Sequence, residues 1–148
     1  MTEQRAMAGS AHIVVGVDGS EPSRQALLWA VQYAALIGAT VDTVISWSYP
    51  AVYGIGAIAT DWNPEAEARQ TLADTVSSVL GEKVPLTLTQ SVREGNAAQV
   101  LLDETKDAQM LVVGSRGHGG FAGLLLGSVS ANCAEHAQCP VLVIHGKA

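Results

Sequence analysis

Ile13-Val14-Val15-Gly16-Val17 runs directly into Asp18-Gly19-Ser20-Glu21-Pro22-Ser23, and the architecture follows from this junction. The first five residues are short, β-branched and free of polar side chains, as a strand buried on both faces requires. The next six carry turn and helix-start chemistry, with Pro22 suited to a first helical turn. Apolar side chains then recur at Ala26, Leu27, Ala30, Val31, Ala34 and Leu36, which predicts a helix from about Ser23 to Ile37 that stops at Gly38.

The same alternation continues along the chain. A second strand is expected from about Thr40 to Trp47, then a loop from Tyr49 to Trp62 rich in Ala, Gly and Ile. Asn63-Pro64-Glu65 opens a helix to about Leu80, closed by Gly81. A third strand is expected at Leu86 to Val92, bounded by Pro85 and by Arg93-Glu94-Gly95. Asn96 caps a helix to about Thr105. Met110 to Val113 reads as a fourth strand, Ser128 to Ala137 as the last helix, and Val141 to Ile144 as a final strand after Pro140. Five strands separated by helices define a three-layer α/β fold. Its sheet is open and mainly parallel, and right-handed crossovers put helices on both faces. Residues 1–10 are small and polar without periodicity and read as a flexible tail; 11–148 read as one domain.

Composition narrows the function. The 148 residues carry 8 basic and 14 acidic side chains, a formal charge of −6, and 48% are hydrophobic. An acidic chain with so few cations is poorly suited to nucleic acid, whose binding begins with phosphate neutralisation. No run reaches the ~20 apolar residues of a membrane span, and the start MTEQRAMAGSAH lacks the apolar stretch of a secretory signal. Two cysteines, Cys133 and Cys139, are too few for a disulfide framework, so a cytoplasmic location is expected.

The chemistry is expected between the fourth strand and the last helix. From Gly114 to Gly127, six of fourteen residues are glycine. In open α/β sheets ligands sit beyond the carboxyl ends of the strands. Glycine lets backbone amides approach a ligand closely, and the helix starting near Ser128 adds free N–H groups and the positive end of a dipole. These features suit an anion without a net-positive protein. The segment is not a Walker A loop, because no lysine lies between Lys106 and Lys147. Gly117-His118-Gly119-Gly120-Phe121-Ala122 has the letters of a dinucleotide fingerprint, but that motif belongs at the first strand–helix turn and not after the fourth strand.

The spacing Gly114-x2-Gly117-x9-Gly127-Ser128 resembles the signature of the nucleotide-binding branch of the universal stress protein family. Three further segments carry the same resemblance: Ile13 to Ser20, Val92-Arg93-Glu94-Gly95, and Cys139 to Ile144. Together they cover about residues 11 to 146. The resemblance implies a strand order of 3-2-1-4-5 and ATP as ligand, with Mg²⁺ held at Asp18 as an option. Val17 and Asp18 would lie beside adenine and ribose, with a backbone contact from Ser46 to the base. Gly114, Arg116 and Gly117 would lie near the ribose and first phosphates, and Gly127, Ser128, Val129 and Ser130 at the phosphate-binding helix start. Gly119 belongs to the same turn, and His118 either donates to a phosphate or faces solvent. Phe121 and Leu124 to Leu126 depart from the pattern by making the x9 segment apolar.

The implied activity is stress response or signalling through the nucleotide-bound state, with at most weak ATP hydrolysis. A cyclic AMP or other adenine-nucleotide binder and a slow ATP hydrolase are the alternatives. A homodimer is expected through Val141 to Ile144, an apolar strand that the implied order leaves at a sheet edge. The sequence names no downstream protein partner. Cys133-x2-His136-x2-Cys139 supplies only three potential metal ligands, spread around a helix, and reads as structural. Trp29 and Tyr33, one helical turn apart, read as core or interface.

Overall fold

The computed structural model describes residues 11–49, 62–116 and 126–146. The tail at 1–10 and most of the loop between Tyr49 and Trp62 lie outside the described residues. In chain order the elements are β1 (His12–Gly16), α1 (Glu21–Ile37), β2 (Thr40–Trp47), α2 (Pro64–Leu80), β3 (Leu88–Glu94), α3 (Ala97–Glu104), β4 (Met110–Gly114), α4 (Ser128–His136) and β5 (Val141–Ile144). All pairings are parallel and the order is β3-β2-β1-β4-β5.

β1 is central: Val14 pairs with Asp42 of β2 on one side and Leu111 of β4 on the other. Its alternate side chains feed two cores. Ile13 and Val15 join Leu27, Ala30, Val41, Ile45, Leu72 and Val76 beneath α1 and α2. Val14 joins Val44, Val100, Leu101, Leu111, Val113 and Cys133 beneath α3 and α4. Each fully buried aliphatic side chain is worth roughly 1.5–3 kcal/mol, so the sheet is held from both faces.

Local chemistry sets the helix ends. The Ser20 hydroxyl caps α1 by accepting from Ser23 N–H, and Gly38 ends it in the left-handed region at φ 72°. Asn63 and Asn96 cap α2 and α3 in the same way. α4 differs: its N-cap is Gly127, which makes no side-chain capping bond. Two expectations shift. α1 begins at Glu21, ahead of Ser23, because the cap is Ser20. β3 begins at Leu88 and not at Leu86, because Leu88 N–H closes a turn onto the Pro85 carbonyl and leaves Leu86 fully exposed.

Candidate functional site

In this order the chain reverses direction across the sheet between β1 and β4, the place where open α/β proteins hold ligands. A cleft of about 620 Å³ opens there, at the carboxyl ends of β1, β2 and β4. That size lies within the ~300–1,000 Å³ usual for small-molecule sites.

The β1 exit forms one wall. The carboxylate of Asp18 accepts from both the backbone N–H (2.9 Å) and the hydroxyl of Ser20, and Asp18 N–H donates to the Ser23 hydroxyl at 3.3 Å. Asp18 closes an Asx-type turn and lines the cleft. β4 is drawn close to this turn. A Cβ on Gly114 would lie 2.7 Å from Pro22 Cβ and 2.8 Å from Ser23 N, a separation that only glycine permits.

The wall opposite is built from β4 and α4. Gly127 N–H donates to the Ser115 carbonyl at 2.6 Å. The single hydrogen of the buried Ser130 hydroxyl is shared between the Ser115 carbonyl at 2.9 Å and the Gly127 carbonyl at 3.1 Å. These bonds fix the first turn of α4 against the end of β4, with Gly127, Ser128, Val129 and Ser130 on the cleft wall. Among the described residues no side chain caps α4, so its first N–H groups are open to a ligand. Arg116 also lines the cleft, with its carbonyl 3.5 Å from the Ser20 hydroxyl oxygen.

The opposite end lies beyond β2. Trp47, Tyr49 and Trp62 form an edge-to-face series with centroids 5.7 Å apart at each step, and both tryptophans line the cleft. Glu67 and Thr71, one turn apart on α2, complete this end.

Of the residues expected from sequence, Val17, Asp18, Ser46, Gly114, Arg116, Gly127, Ser128, Val129 and Ser130 converge on the one cleft. Gly117, His118 and Gly119, with Phe121, Leu124 and Leu125, lie outside the described residues. Arg93, near the end of β3, does not line the cleft. It pairs with Glu104 at 2.9 Å, held by α3 at the outer strand. Sequence reasoning missed Ser23, Trp47, Trp62, Glu67 and Thr71. The available signal was topological: α2 follows β2, so its first turns must sit at the same sheet edge.

Among the described residues no group of three or more His, Cys, Asp or Glu is placed to hold a metal ion. Cys133 is fully buried, and burial together with the nearby Cys139 pushes its thiol up to about 11. The exposed His136 ring nitrogen Nδ1 meets the Asn132 carbonyl at 3.2 Å. Trp29 and Tyr33 stack on each other at 5.0 Å, away from the cleft. Among the described residues no helix is long and apolar enough to cross a membrane.

A doubly wound α/β protein with a cleft at its switch point is the class that fold and site define. The universal stress protein family model matches residues 10–145, and the chain belongs to that family. A universal stress protein of Mycolicibacterium smegmatis is 36% identical over 142 residues. That match covers 90% of this chain and 48% of the relative, so the chain spans about half the length of that relative. The structure of a universal stress protein from Lactobacillus plantarum superposes with a TM-score of 0.74 at 22% identity, over 90% of this chain and 97% of the other. A universal stress protein from Archaeoglobus fulgidus, solved in complex with dAMP, gives a TM-score of 0.64 at 28% identity, covering 90% and 97%.

Proposed function

We propose that this protein binds ATP in the cleft and acts in stress adaptation or signalling through its nucleotide-bound state, with little or no turnover. The observation that carries the reading is the uncapped first turn of α4, fixed by Ser115 and opening on the same cleft as the β1 turn. Amide donors and a helix dipole at one end, and aromatic and aliphatic walls at the other, match a phosphorylated nucleoside. The dAMP complex of the Archaeoglobus fulgidus protein supports an adenine nucleotide as the class. On this reading Gly127 to Ser130 and Arg116 face the phosphates, Val17 and Asp18 the sugar, and Ser46 the base. Asp18, whose carboxylate already holds the turn, is the residue that would share a Mg²⁺ ion brought by the nucleotide.

The proposal places the protein in the cytoplasm as a homodimer. The support for the dimer is β5, an all-apolar edge strand whose residues are only half-buried. Mass spectrometry of small molecules released from freshly purified, denatured protein tests the ligand class. ATP or another adenine nucleotide at near-stoichiometric yield is expected. Its absence, together with no binding of added ATP, would overturn the reading.

A further inference from the structure

The chemistry at the β2 end of the cleft bears on which base the site accepts, and the argument rests on the adenine-nucleotide reading above. The β1–β2 ladder ends where Val17 N–H donates to the Val44 carbonyl at 2.9 Å. On β2's other side Trp47 accepts from Gly95 N–H at 2.8 Å. Backbone groups alternate sides along a strand, so the N–H and C=O of Ser46 turn to the same side as those of Val44. There β1 has already left the sheet, and Ser46 lines the cleft.

α2 supplies the second element. Its first turns stand over the end of β2, and Glu67 and Thr71 face the cleft. Of the three carboxylates on α2, Glu65 is bridged to Arg69 at 3.1 Å and Asp74 accepts from Gln70 at 2.8 Å. Glu67 has no such partner among the described residues, and it is the one on the cleft wall. A first-turn acid also favours the helix dipole, but Glu65 occupies the same turn and the dipole does not require a cleft-facing side chain.

We propose that Glu67, with the Ser46 carbonyl, selects a base carrying an exocyclic amine and rejects one carrying a carbonyl at that position. An amine has two N–H donors, and these two groups are two acceptors. The adenine amine would satisfy both, while the Ser46 N–H remains for a ring nitrogen. A base with oxygen there sets its lone pairs against a carboxylate and a carbonyl, a repulsive arrangement that binding cannot relieve. The phosphate anchors of α4 lie on the far side of β1, roughly 9–10 Å away at two strand spacings, which leaves room for the sugar between.

Calorimetry with ATP and inosine triphosphate on nucleotide-free protein tests this. The two ligands differ at the amine, which becomes a carbonyl, and at the adjacent ring nitrogen, an acceptor in adenine and an N–H donor in hypoxanthine, so the Glu67 variants isolate the contribution of Glu67. Wild-type protein should favour ATP by at least about tenfold, the scale of a lost hydrogen bond with an unpaired acceptor. Glu67→Gln, whose amide can donate, should tighten inosine triphosphate and shrink the preference by about tenfold. Glu67→Ala should shrink it by weakening ATP. A ratio unchanged in both variants overturns the proposal, as does equal weakening of both ligands, which would move Glu67 to the sugar or a metal ion. Equal wild-type affinities overturn it while leaving nucleotide binding intact. If wild-type protein binds neither ligand, both this inference and the reading beneath it fall.

Discussion

Pro22 Cβ stands 2.7 Å from the point a Cβ on Gly114 would occupy, so the first turn of α1 and the end of β4 meet backbone to backbone. The Pro22 carbonyl carbon and Ser23 N lie at 2.8 Å from the same point, and no rotamer change can relieve a clash with main chain. Gly114→Ala must therefore push α1 away from β4. A destabilisation of about 1–3 kcal/mol is expected, read as a lower midpoint in urea or thermal unfolding. Unchanged stability would mean the two elements are not in this contact.

The fold of the central strands was legible from local chemistry. β1 beyond His12 and all of β4 are short runs without polar side chains, and Asn63 and Asn96 act as the caps their positions suggest. β3 was misplaced by two residues because Leu86 is apolar yet fully exposed, and no pattern distinguishes it from Leu88, which packs. The β4 wall of the cleft was legible because Gly114, Gly127 and Ser128 mark a strand exit and a helix start that the α/β order brings together. The β2 end was not. Glu67 and Thr71 look like any helix surface, and only the packing of α2 over β2 turns them into the cleft.

Cys133 ties stability to alkaline pH. Its thiol is raised from 9.0 to about 11, chiefly by burial and further by Cys139, and burial raises the Cys139 thiol as well. An acid with a raised folded value stabilises the protein fully below its unfolded pKa and loses that contribution as pH climbs through the folded one. Stability should thus fall between about pH 9 and pH 11, by roughly 2 kcal/mol from Cys133. Urea unfolding at pH 8 and pH 10.5 checks this. The fall should be shallower in Cys133→Ala, and an equal fall in both proteins would contradict the assignment.

The proposed dimer makes a prediction at β5. Edge strands left unpaired invite uncontrolled association, and a two-fold antiparallel contact closes them. Light scattering at micromolar concentration should report a dimer. Val141→Lys with Val143→Lys should give a monomer that keeps its circular dichroism spectrum. A wild-type monomer, or a dimer that survives both substitutions, would contradict pairing through this strand.

Turnover is expected to be slow. Phosphoryl transfer needs charge neutralisation and an oriented water. Arg116 is the one basic side chain that the described residues bring to the cleft wall. Amides and a helix dipole hold ground-state phosphates about as well as the transition state, and uniform binding does not raise the chemical rate. Phosphate release with magnesium should run far below the ~10 per second typical of enzymes. Turnover near that rate, abolished in Arg116→Ala, would make the protein an enzyme.

The central claim is that the first turn of α4 binds the phosphates of ATP, and Gly127 gives the most direct access to it. Its backbone, at φ −76° and ψ 174°, is one that valine adopts without strain, so Gly127→Val leaves the helix start intact while adding bulk at the cleft wall. Calorimetric titration of ATP into nucleotide-free protein should give saturable binding in the wild type. In the variant, binding should be at least about tenfold weaker, a loss of about 1.4 kcal/mol, with an unchanged circular dichroism spectrum. Equal affinity in the two proteins, with both spectra intact, would contradict it.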